Sequence, residues 1–274
     1  MTTPLSDAAS LPVALDHIDA FCHTATGKQL VIFLDYDGTL TPIVERPEDA
    51  HLSDSMKAAL QTLARAHKVA IVSGRGLDDV RQRVGLDELY YAGSHGFEIV
   101  EPGGPHHSYR PAQTYLSDLD AAEQSLHERL ADVTGAQIER KRYAIAIHFR
   151  RAHERDADTI ETIVHDVRQS HHRLRLTGGK KIFELRPDLD WNKGTALSWL
   201  LEIMGLQRET VLPIYIGDDV TDEDAFAVLN PDGVGILVID ATQPVQATQA
   251  TYQLADTEAV RAFLLTLATV QSET

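Results

Sequence analysis

The sequence changes character within one stretch, Leu30-Val31-Ile32-Phe33-Leu34-Asp35-Tyr36-Asp37-Gly38-Thr39. Its first half is an apolar run without alternation, which is typical of a parallel strand that helices bury on both faces. The run ends at two carboxylates, Asp35 and Asp37, and Gly38 then permits a sharp turn. The stretch therefore predicts a central strand of an α/β sheet with reactive groups at its carboxyl end.

The flanking regions repeat this pattern. Apolar runs at residues 69–72, 90–92, 211–216 and 235–239 predict further strands of the same sheet, with a hairpin arm at 96–100. Helices are predicted after Ser53, a suitable N-cap, at 77–84 before Gly85, a suitable C-terminal residue, at 193–204, after Asp222 and at 257–267. The opening residues, up to about Thr26, predict one more helix packed on the core.

The pattern changes between about Tyr109 and Pro187. A helix at 115–131, strands at 136–139 and 143–149, a helix at 156–171 and strands at 174–177 and 182–185 are predicted there, in that order. This order indicates a small antiparallel sheet with helices on one face. The sequence thus predicts a doubly wound, mostly parallel, Rossmann-like α/β core, residues 1–108 and 188–274, interrupted by an α+β cap domain at 109–187.

The composition excludes several classes of protein. The 274 residues include 25 Lys and Arg against 41 Asp and Glu, a net charge of −16, and such a surface repels nucleic-acid phosphates and anionic lipid. Cys22 is the single cysteine, which excludes an intrachain disulfide and a cysteine-based zinc site. No apolar run approaches the roughly 20 residues of a membrane span, and a secretory signal pattern is missing. We therefore expect a cytoplasmic protein that binds neither nucleic acid nor membranes.

Polar motifs follow three of the predicted strands: Asp35-Tyr36-Asp37-Gly38-Thr39, Ser73-Gly74-Arg75 and Gly217-Asp218-Asp219. Ligands of open α/β sheets bind outside the carboxyl ends of the strands, so we expect these motifs to meet. A calcium loop beginning at Asp35 would need Gly at its sixth position and Glu at its twelfth, where this chain has Leu40 and Arg46. The aspartate pair instead suits a carboxylate that attacks and a neighbour that exchanges a proton with the leaving group.

Up to four carboxylates, those of Asp35, Asp37, Asp218 and Asp219, would crowd this sheet edge. They can be ionised together only beside a cation, and Mg²⁺ suits a site of carboxylates, a main-chain carbonyl, waters and phosphate oxygen. Lys193 opens a predicted helix, where the macrodipole disfavours a cation unless an anion is held at the same end. We therefore expect Mg²⁺ as cofactor and an anionic substrate, with a solvated first-turn lysine as the alternative for Lys193.

Other catalytic signatures are incomplete. Gly74-Arg75-Gly76 and Gly233-Val234-Gly235 lack the third glycine of the dinucleotide-binding motif, and no P-loop is present. Gly93-Ser94-His95-Gly96 approaches a nucleophile elbow, but Ala92 replaces its first glycine. Two histidine pairs are interpreted as loop and helix-end residues rather than as ligands: His106-His107 and His171-His172.

Taken together, the motifs resemble those of the haloacid-dehalogenase-like phosphotransferases. The four motifs of that superfamily correspond to residues 35–40, Ser73, Lys193 and residues 217–219. Within the superfamily, residues 217–224 resemble the fourth motif of trehalose-6-phosphate phosphatases. Three further segments agree with that family, namely residues 93–96, residues 138–150, and Glu184-Leu185-Arg186-Pro187 leading to Asn192-Lys193-Gly194. The similarity extends over residues 30–229, and Phe149 stands where the family often has Tyr, which leaves the catalytic roles unaffected.

The resemblance implies a mechanism. Asp35 would attack phosphorus to form an aspartyl-phosphate, while Asp37 would protonate the departing sugar oxygen and then activate water. Ser73 and Lys193 would hold phosphoryl oxygens, and the insert would close as a lid. Mg²⁺ would be held by the Asp35 carboxylate, the Asp37 main-chain carbonyl and Asp218, with support from Asp219 and Asp222. Substrate-binding roles are implied for Gly38, Thr39, Gly74, Arg75, His95, Glu139, Lys141, Arg142, Arg150 and Glu184.

The expected activity is the hydrolysis of trehalose 6-phosphate to trehalose and phosphate, the last step of trehalose biosynthesis. Related phosphatases of sucrose phosphate, mannosyl-phosphoglycerate or hexose phosphates share the core motifs and stay open as alternatives, as does a sugar phosphomutase. A regulatory module without catalysis would be expected to lack Asp35 or Asp37, and both are present. The expected partner is a small sugar phosphate, and the sequence leaves association with a trehalose-6-phosphate synthase open.

Overall fold

The computed structural model describes residues 5–24, 26–44, 46–179, 181–239 and 247–270. The chain divides into two compact units, unit 1 (Met1–His107 and Trp191–Thr274) and unit 2 (Ser108–Asp190). The insert expected at 109–187 lies within unit 2, which begins one residue earlier and ends three residues later.

The secondary structure of the described residues alternates between strands and helices. The strands are β1 (Ser6–Asp7), β2 (Gln29–Leu34), β3 (Lys68–Val72), β4 (Tyr90–Gly93), β5 (Glu98–Val100), β6 (His106–Ser108), β7 (Gln137–Lys141), β8 (Ala144–His148), β9 (Leu174–Gly179), β10 (Ile182–Pro187), β11 (Val211–Gly217), β12 (Val234–Val238), β13 (Ala247–Thr248) and β14 (Tyr252–Leu254). The helices are α1 (Ile18–Thr24), α2 (Asp54–Ala66), α3 (Leu77–Val84), α4 (Arg110–Gln113), α5 (Leu116–Leu130), α6 (Ala157–Ser170), α7 (Lys193–Ile203), α8 (Glu223–Leu229) and α9 (Thr257–Leu267).

The core sheet has the order β14-β12-β11-β2-β3-β4-β5-β6. All pairings from β14 to β4 are parallel, and β5 runs antiparallel to β4. Leu34 at the end of β2 pairs with Ile216 of β11 on one side and with Ile71 of β3 on the other. The prediction of a doubly wound, mostly parallel core is confirmed, and its register brings three strand ends side by side.

Strand β2 has no solvent face. Leu30, Ile32 and Leu34 pack into one hydrophobic cluster with α2, α3 and α9. Val31 and Phe33 point to the opposite face and pack with α7 and α8. Because alternate side chains of a strand point to opposite faces, helices on both sides require every position to be apolar. This is the physical basis of the unbroken apolar run.

Unit 2 is built on an antiparallel sheet with the order β7-β8-β10-β9. Ile145 and Ile147 of β8 pack against α5 and α6 in a separate hydrophobic cluster. Ala144 and Ala146, which alternate with them along β8, point to the other face. The α+β insert thus has helices on one face of its sheet, as predicted.

The structure differs from the prediction in two places. Instead of one helix up to Thr26, the described part of the N-terminal segment has β1, short 3₁₀ turns and then α1. Pro12 explains the break, because it favours an extended Leu11, whose φ and ψ are −67° and 141°. His106 and His107, expected in a loop, belong to edge strand β6, where the Nε2 atom of His107 lies 2.8 Å from Oε1 of Glu101.

Among the described residues, no helix combines the length and the apolar composition that crossing a bilayer requires.

Glycines at the two ends of α3 have different conformations. Gly85 ends the helix with φ 61° and ψ 41°, and its N–H donates to the Arg81 carbonyl. Gly76 precedes the helix with φ −57°, and a Cβ placed on it would meet no heavy atom within 4 Å. Only Gly85 occupies the left-handed region that side chains with a Cβ avoid.

We expect Gly85→Ala to lower the free energy of unfolding by roughly 1–2 kcal/mol, the cost of a left-handed conformation for a residue with a Cβ. In Gly76→Ala, the reduced freedom of the unfolded chain offsets the weaker N-cap, so the change should stay within about 0.5 kcal/mol. Urea denaturation of both variants checks this. Equal losses of stability would show that the backbone conformation of Gly85 is not what matters there.

Candidate active site

The strand ends place the predicted catalytic motifs along one edge of the core sheet. The N–H of Asp35, directly after β2, donates to the Ile216 carbonyl of β11 at 2.9 Å. The N–H of Ser73, directly after β3, donates to the Ala92 carbonyl of β4 at 2.9 Å. Backbone hydrogen bonds thus continue the sheet register into both motifs, and Asp35 and Ser73 are held with little freedom.

Lys193 lies between two buried aspartates. Its Nζ atom donates to Oδ1 of Asp35 at 2.8 Å and to Oδ1 of Asp222 at 2.6 Å, and all three side chains are buried. Burial opposes the charge on this ammonium, yet the two carboxylates together raise its pKa above the ordinary value. Lys193 therefore stays protonated, and the alternative of a solvated first-turn lysine is wrong.

Asp222 organises the turn after β11. Its Oδ1 also accepts from the Tyr215 hydroxyl at 2.6 Å, while Oδ2 accepts from the amides of Asp218 at 3.1 Å and Asp219 at 3.0 Å. Four donors on one buried carboxylate fix the path of the backbone on which Asp218 lies. The sequence analysis missed Tyr215, although a single hydroxyl-bearing side chain in the otherwise apolar strand β11 was a signal.

Asp218 packs against the turn that follows β2. A Cβ on Gly38, whose φ is +85°, would lie 2.0 Å from Oδ2 of Asp218, so only glycine permits this approach. The Thr39 hydroxyl donates to Oδ1 of Asp218 at 3.4 Å. Gly38 and Thr39, which the resemblance placed among substrate-binding residues, therefore contact the Asp218 carboxylate.

Asp219 points elsewhere. Its Oδ1 accepts from the amide of Val220 at 2.7 Å and caps the short 3₁₀ turn Val220–Asp222, and the residue is exposed. Asp219 thus supports the backbone of this turn, and its carboxylate does not belong to the group formed by Asp35, Asp218 and Asp222.

One oxygen from each carboxylate of that group lies within 4.8 Å of the others. Desolvation raises the pKa of Asp35 and of Asp218, and repulsion from Asp222 acts in the same direction on both, whereas Lys193 opposes it. A single ammonium does not balance three clustered carboxylates, of which Asp35 and Asp222 are buried and Asp218 is partly buried. Carboxylate oxygens are the ligands that hard divalent cations prefer, so this donor set fits a metal.

Asp37 is held by a guanidinium. Nε of Arg75 lies 2.7 Å from Oδ2 of Asp37, and Nη2 of Arg75 lies 2.6 Å from Oδ1. The amide of Arg75 also donates to the hydroxyl oxygen of Ser73 at 3.1 Å. The second and first motifs are therefore linked side by side, a contact that the sequence analysis did not anticipate.

Gly74 and His95 contact each other next to this pair. A Cβ on Gly74 would come within 2.8 Å of Cε1 of His95. His95 has a positive φ of 56°, its N–H donates to the Ser73 carbonyl at 2.9 Å, and its carbonyl accepts from the Trp191 indole at 3.0 Å. A non-glycine residue in this region is uncommon, and these contacts hold His95 beside the second motif.

The face of the unit 2 sheet opposite α5 and α6 carries a second group of predicted residues. Register places Glu139 of β7 and Glu184 of β10 on either side of Ala146 of β8. Nζ of Lys141 lies 3.0 Å from Oε1 of Glu184, and Nε2 of His148 lies 2.8 Å from Oε2 of Glu139. The small side chains of Ala144 and Ala146 lie between these charged groups and are buried, and His148 is a member of the group that sequence analysis missed.

Arg142 and Arg150 lie at the two ends of β8. Arg142 is exposed in the turn between β7 and β8, with its guanidinium carbon 5.5 Å from the centre of the Tyr143 ring. Arg150 is exposed after the other end of β8. The structure therefore brings Glu139, Lys141 and Glu184 together, and it places the two arginines at opposite ends of the strand.

Comparisons with known proteins identify the family. The family model described as "Trehalose-phosphatase" matches residues 33–258. "Probable trehalose-phosphate phosphatase 4" of Oryza sativa subsp. japonica is 41% identical over 259 residues, which cover 93% of this chain and 70% of that protein. "Trehalose 6-phosphate phosphatase RA3" of Zea mays is 41% identical over 270 residues, which cover 94% and 74% of the two chains.

A solved structure, "Crystal structure of trehalose-6-phosphate phosphatase related protein", is 26% identical with a TM-score of 0.74, and the alignment covers 85% of this chain and 95% of that one. The family model spans most of the chain, and the resemblance of the motifs is confirmed. On this ground the chain belongs to the trehalose-phosphatase family, a family of phosphatases.

Proposed function

We propose that the chain hydrolyses trehalose 6-phosphate to trehalose and phosphate, with Asp35 as nucleophile and Mg²⁺ as cofactor. The observation that carries the proposal is the buried hydrogen bond of 2.8 Å between Lys193 and Asp35 at the junction of the strand ends. The neighbouring ammonium favours the ionised, nucleophilic form of Asp35 against the effect of burial, and it offers positive charge to a phosphoryl group that arrives there.

The remaining groups of unit 1 fit the other steps. Asp35 attacks phosphorus, and the bond from phosphorus to the sugar oxygen breaks as the aspartyl-phosphate forms. Asp37 donates a proton to that oxygen and afterwards takes one from the water that hydrolyses the intermediate. The Ser73 hydroxyl and the Lys193 ammonium hold phosphoryl oxygens while negative charge develops on them.

Magnesium has a set of oxygen ligands within the same motifs. The carboxylates of Asp35 and Asp218 and the main-chain carbonyl of Asp37 would hold it, with Asp222 and Asp219 fixing the backbone around Asp218. When bound, the ion balances the charge of these carboxylates and of the phosphoryl group. The raised pKa values of Asp35 and Asp218, caused by burial and by repulsion among the carboxylates, support a preference of these groups for a neighbouring cation.

The charged group on the unit 2 sheet is suited to recognise the sugar. Glu139 and Glu184 provide acceptors, and Lys141 and His148 provide donors, around the small side chains of β8. Sugar hydroxyls both donate and accept, so a group of alternating charges can bind several of them. The phosphoryl-transfer residues all come from unit 1, which separates recognition of the sugar from the chemistry.

The first test is phosphate release from a panel of trehalose 6-phosphate, sucrose phosphate and hexose phosphates, with Mg²⁺ and with EDTA. We expect rapid Mg²⁺-dependent release from trehalose 6-phosphate. Asp35→Asn should reduce it to background, because an amide is a poor nucleophile. Faster hydrolysis of another member of the panel would contradict the substrate, and an active, folded Asp35→Asn enzyme would contradict the nucleophile.

Stability should depend jointly on pH and Mg²⁺. Burial, with repulsion between the carboxylates, raises the pKa of Asp35 from 3.8 to about 7 and that of Asp218 to about 9. A raised pKa means that the folded state binds more protons than the unfolded one, so the metal-free protein loses stability as pH rises from about 4 to about 9. A cation at about 100 times its Kd restores about 2.7 kcal/mol.

Thermal unfolding at pH 5 and pH 8, with Mg²⁺ and with EDTA, checks this expectation. Mg²⁺ should raise Tm by several degrees at pH 8 and by less at pH 5. Asp218→Asn should raise the Tm of the metal-free protein at pH 8, because one repelled charge is removed, and should largely abolish the Mg²⁺ effect. An unchanged Mg²⁺ effect in that variant would place the metal elsewhere.

Substitutions in the charged group on the unit 2 sheet should discriminate between substrates. Glu184→Gln should lower kcat/KM for trehalose 6-phosphate by about 10–150-fold, as loss of a hydrogen bond to a charged group implies, and should spare a small aryl phosphate. Glu161→Gln is the matched control, because Glu161 is exposed on α6, on the other side of the sheet. Parallel loss on both substrates in Glu184→Gln would argue against sugar recognition by this group.

A further inference from the structure

The Arg75 guanidinium uses four of its five N–H groups in the hydrogen bonds described here. Besides the two contacts to Asp37, its Nη1 donates to Oδ2 of Asp79 at 3.0 Å and its Nη2 to the Pro47 carbonyl at 2.8 Å. Its guanidinium carbon lies 5.4 Å from the centre of the Tyr36 ring. The side chain is only 10% exposed, whereas the Asp37 side chain is 44% exposed. The buried partner of the pair therefore holds the accessible one.

A second layer of contacts fixes Arg75 itself. Oδ1 of Asp79 accepts from Nε of Arg83 at 2.8 Å, so Asp79 is held from both sides. Nη1 of Arg83 donates to the carbonyls of Glu48 and Ala50, each at 3.1 Å, and the Tyr36 hydroxyl donates to the same Ala50 carbonyl at 3.0 Å. The network connects α3 with the segment that follows the first motif, so the groups that orient Arg75 are themselves held by hydrogen bonds.

This arrangement has a consequence for Asp37. An exposed aspartate samples several rotamers, and only some of them direct an oxygen toward a leaving group. Two short, parallel, charge-assisted hydrogen bonds from one planar guanidinium select a single orientation of the carboxylate. A lysine at the same position would supply the charge but not the planar pair of donors.

We propose that Arg75 is the positioning residue of the acid–base group Asp37, and that Asp79 and Arg83 fix Arg75 in turn. This inference rests on the proposed function, in which Asp37 transfers the proton. It gives Arg75 a role different from the substrate binding that the family resemblance implied. Arg75 acts through Asp37, so its loss should matter most where the leaving group needs a proton.

The experiment compares aryl phosphates whose phenols differ in acidity. The measured quantity is the slope of log kcat/KM against leaving-group pKa, since kcat/KM reports the steps up to departure of the leaving group. The slope depends on ratios of rates measured on one enzyme preparation, so a partly unfolded sample does not alter it. The variants are Arg75→Gln, Arg75→Lys, Asp79→Asn and Asp37→Asn, with Arg81→Gln as control, because Arg81 lies on the same helix beside the exposed Asp87.

For Arg75→Gln we expect kcat/KM to fall about 10–100-fold on poor leaving groups, the usual effect of a displaced catalytic group, with little change on good ones. The slope of log kcat/KM against leaving-group pKa should become steeper in Arg75→Gln than in the wild type and should approach the slope of Asp37→Asn. Arg75→Lys should lose less kcat/KM on poor leaving groups than Arg75→Gln. Asp79→Asn should show a smaller change in slope than Arg75→Gln, and the slope of Arg81→Gln should match that of the wild type.

Two results would overturn the inference. An equal loss across the series, together with weaker inhibition by inorganic phosphate, would make Arg75 a phosphate-binding residue. An unchanged slope in Arg75→Gln would remove any link to proton transfer. Both results are measured on aryl phosphates and are therefore independent of the sugar. If the wild type hydrolysed aryl phosphates but not trehalose 6-phosphate, that result would contradict the proposed function and leave the role of Arg75 intact.

Discussion

The site depends on one buried carboxylate, that of Asp222. It accepts hydrogen bonds from Lys193, Tyr215 and two consecutive backbone amides, and it has no exposed surface. Removing any of these donors would leave a buried charge with one partner fewer, which is costly at low dielectric. Asp222 thus links the helix that carries Lys193 to the turn that carries Asp218, and both surround Asp35.

Local charge balance follows from that constraint. The chain has a net charge of −16. The negative charge of the site is balanced by a few cations placed among the aspartates and not by a broadly basic surface. Lys193 lies between Asp35 and Asp222, and Arg75 lies between Asp37 and Asp79. Each acidic member of the first motif therefore has its own cation, and the two aspartates experience different surroundings only two residues apart. Different surroundings are what allow two like groups to perform different chemistry.

The two units have different physical designs. Unit 1 places its functional groups at the ends of parallel strands, where register and backbone hydrogen bonds fix them. Unit 2 presents charged side chains on one face of an antiparallel sheet whose other face packs on helices. Strand ends suit a small number of atoms that must be held rigidly, whereas a sheet face offers many donors and acceptors over a wide area.

Local sequence determined the elements and the residues at strand ends. Burial on both faces requires β2 to be continuously apolar, and the end of this apolar run marks the positions of Asp35 and Asp37 in the sequence. The helix caps at Ser53 and Gly85 can likewise be recognised from the sequence. Tertiary structure alone decided which distant groups meet. Lys193 and Asp35 are 158 residues apart, and the Arg75–Asp37 pair and the roles of Tyr215 and His148 depend likewise on strand register and helix packing. Periodicity and capping act between near neighbours in the chain, whereas such contacts arise only when the packed sheet sets the distance between remote side chains.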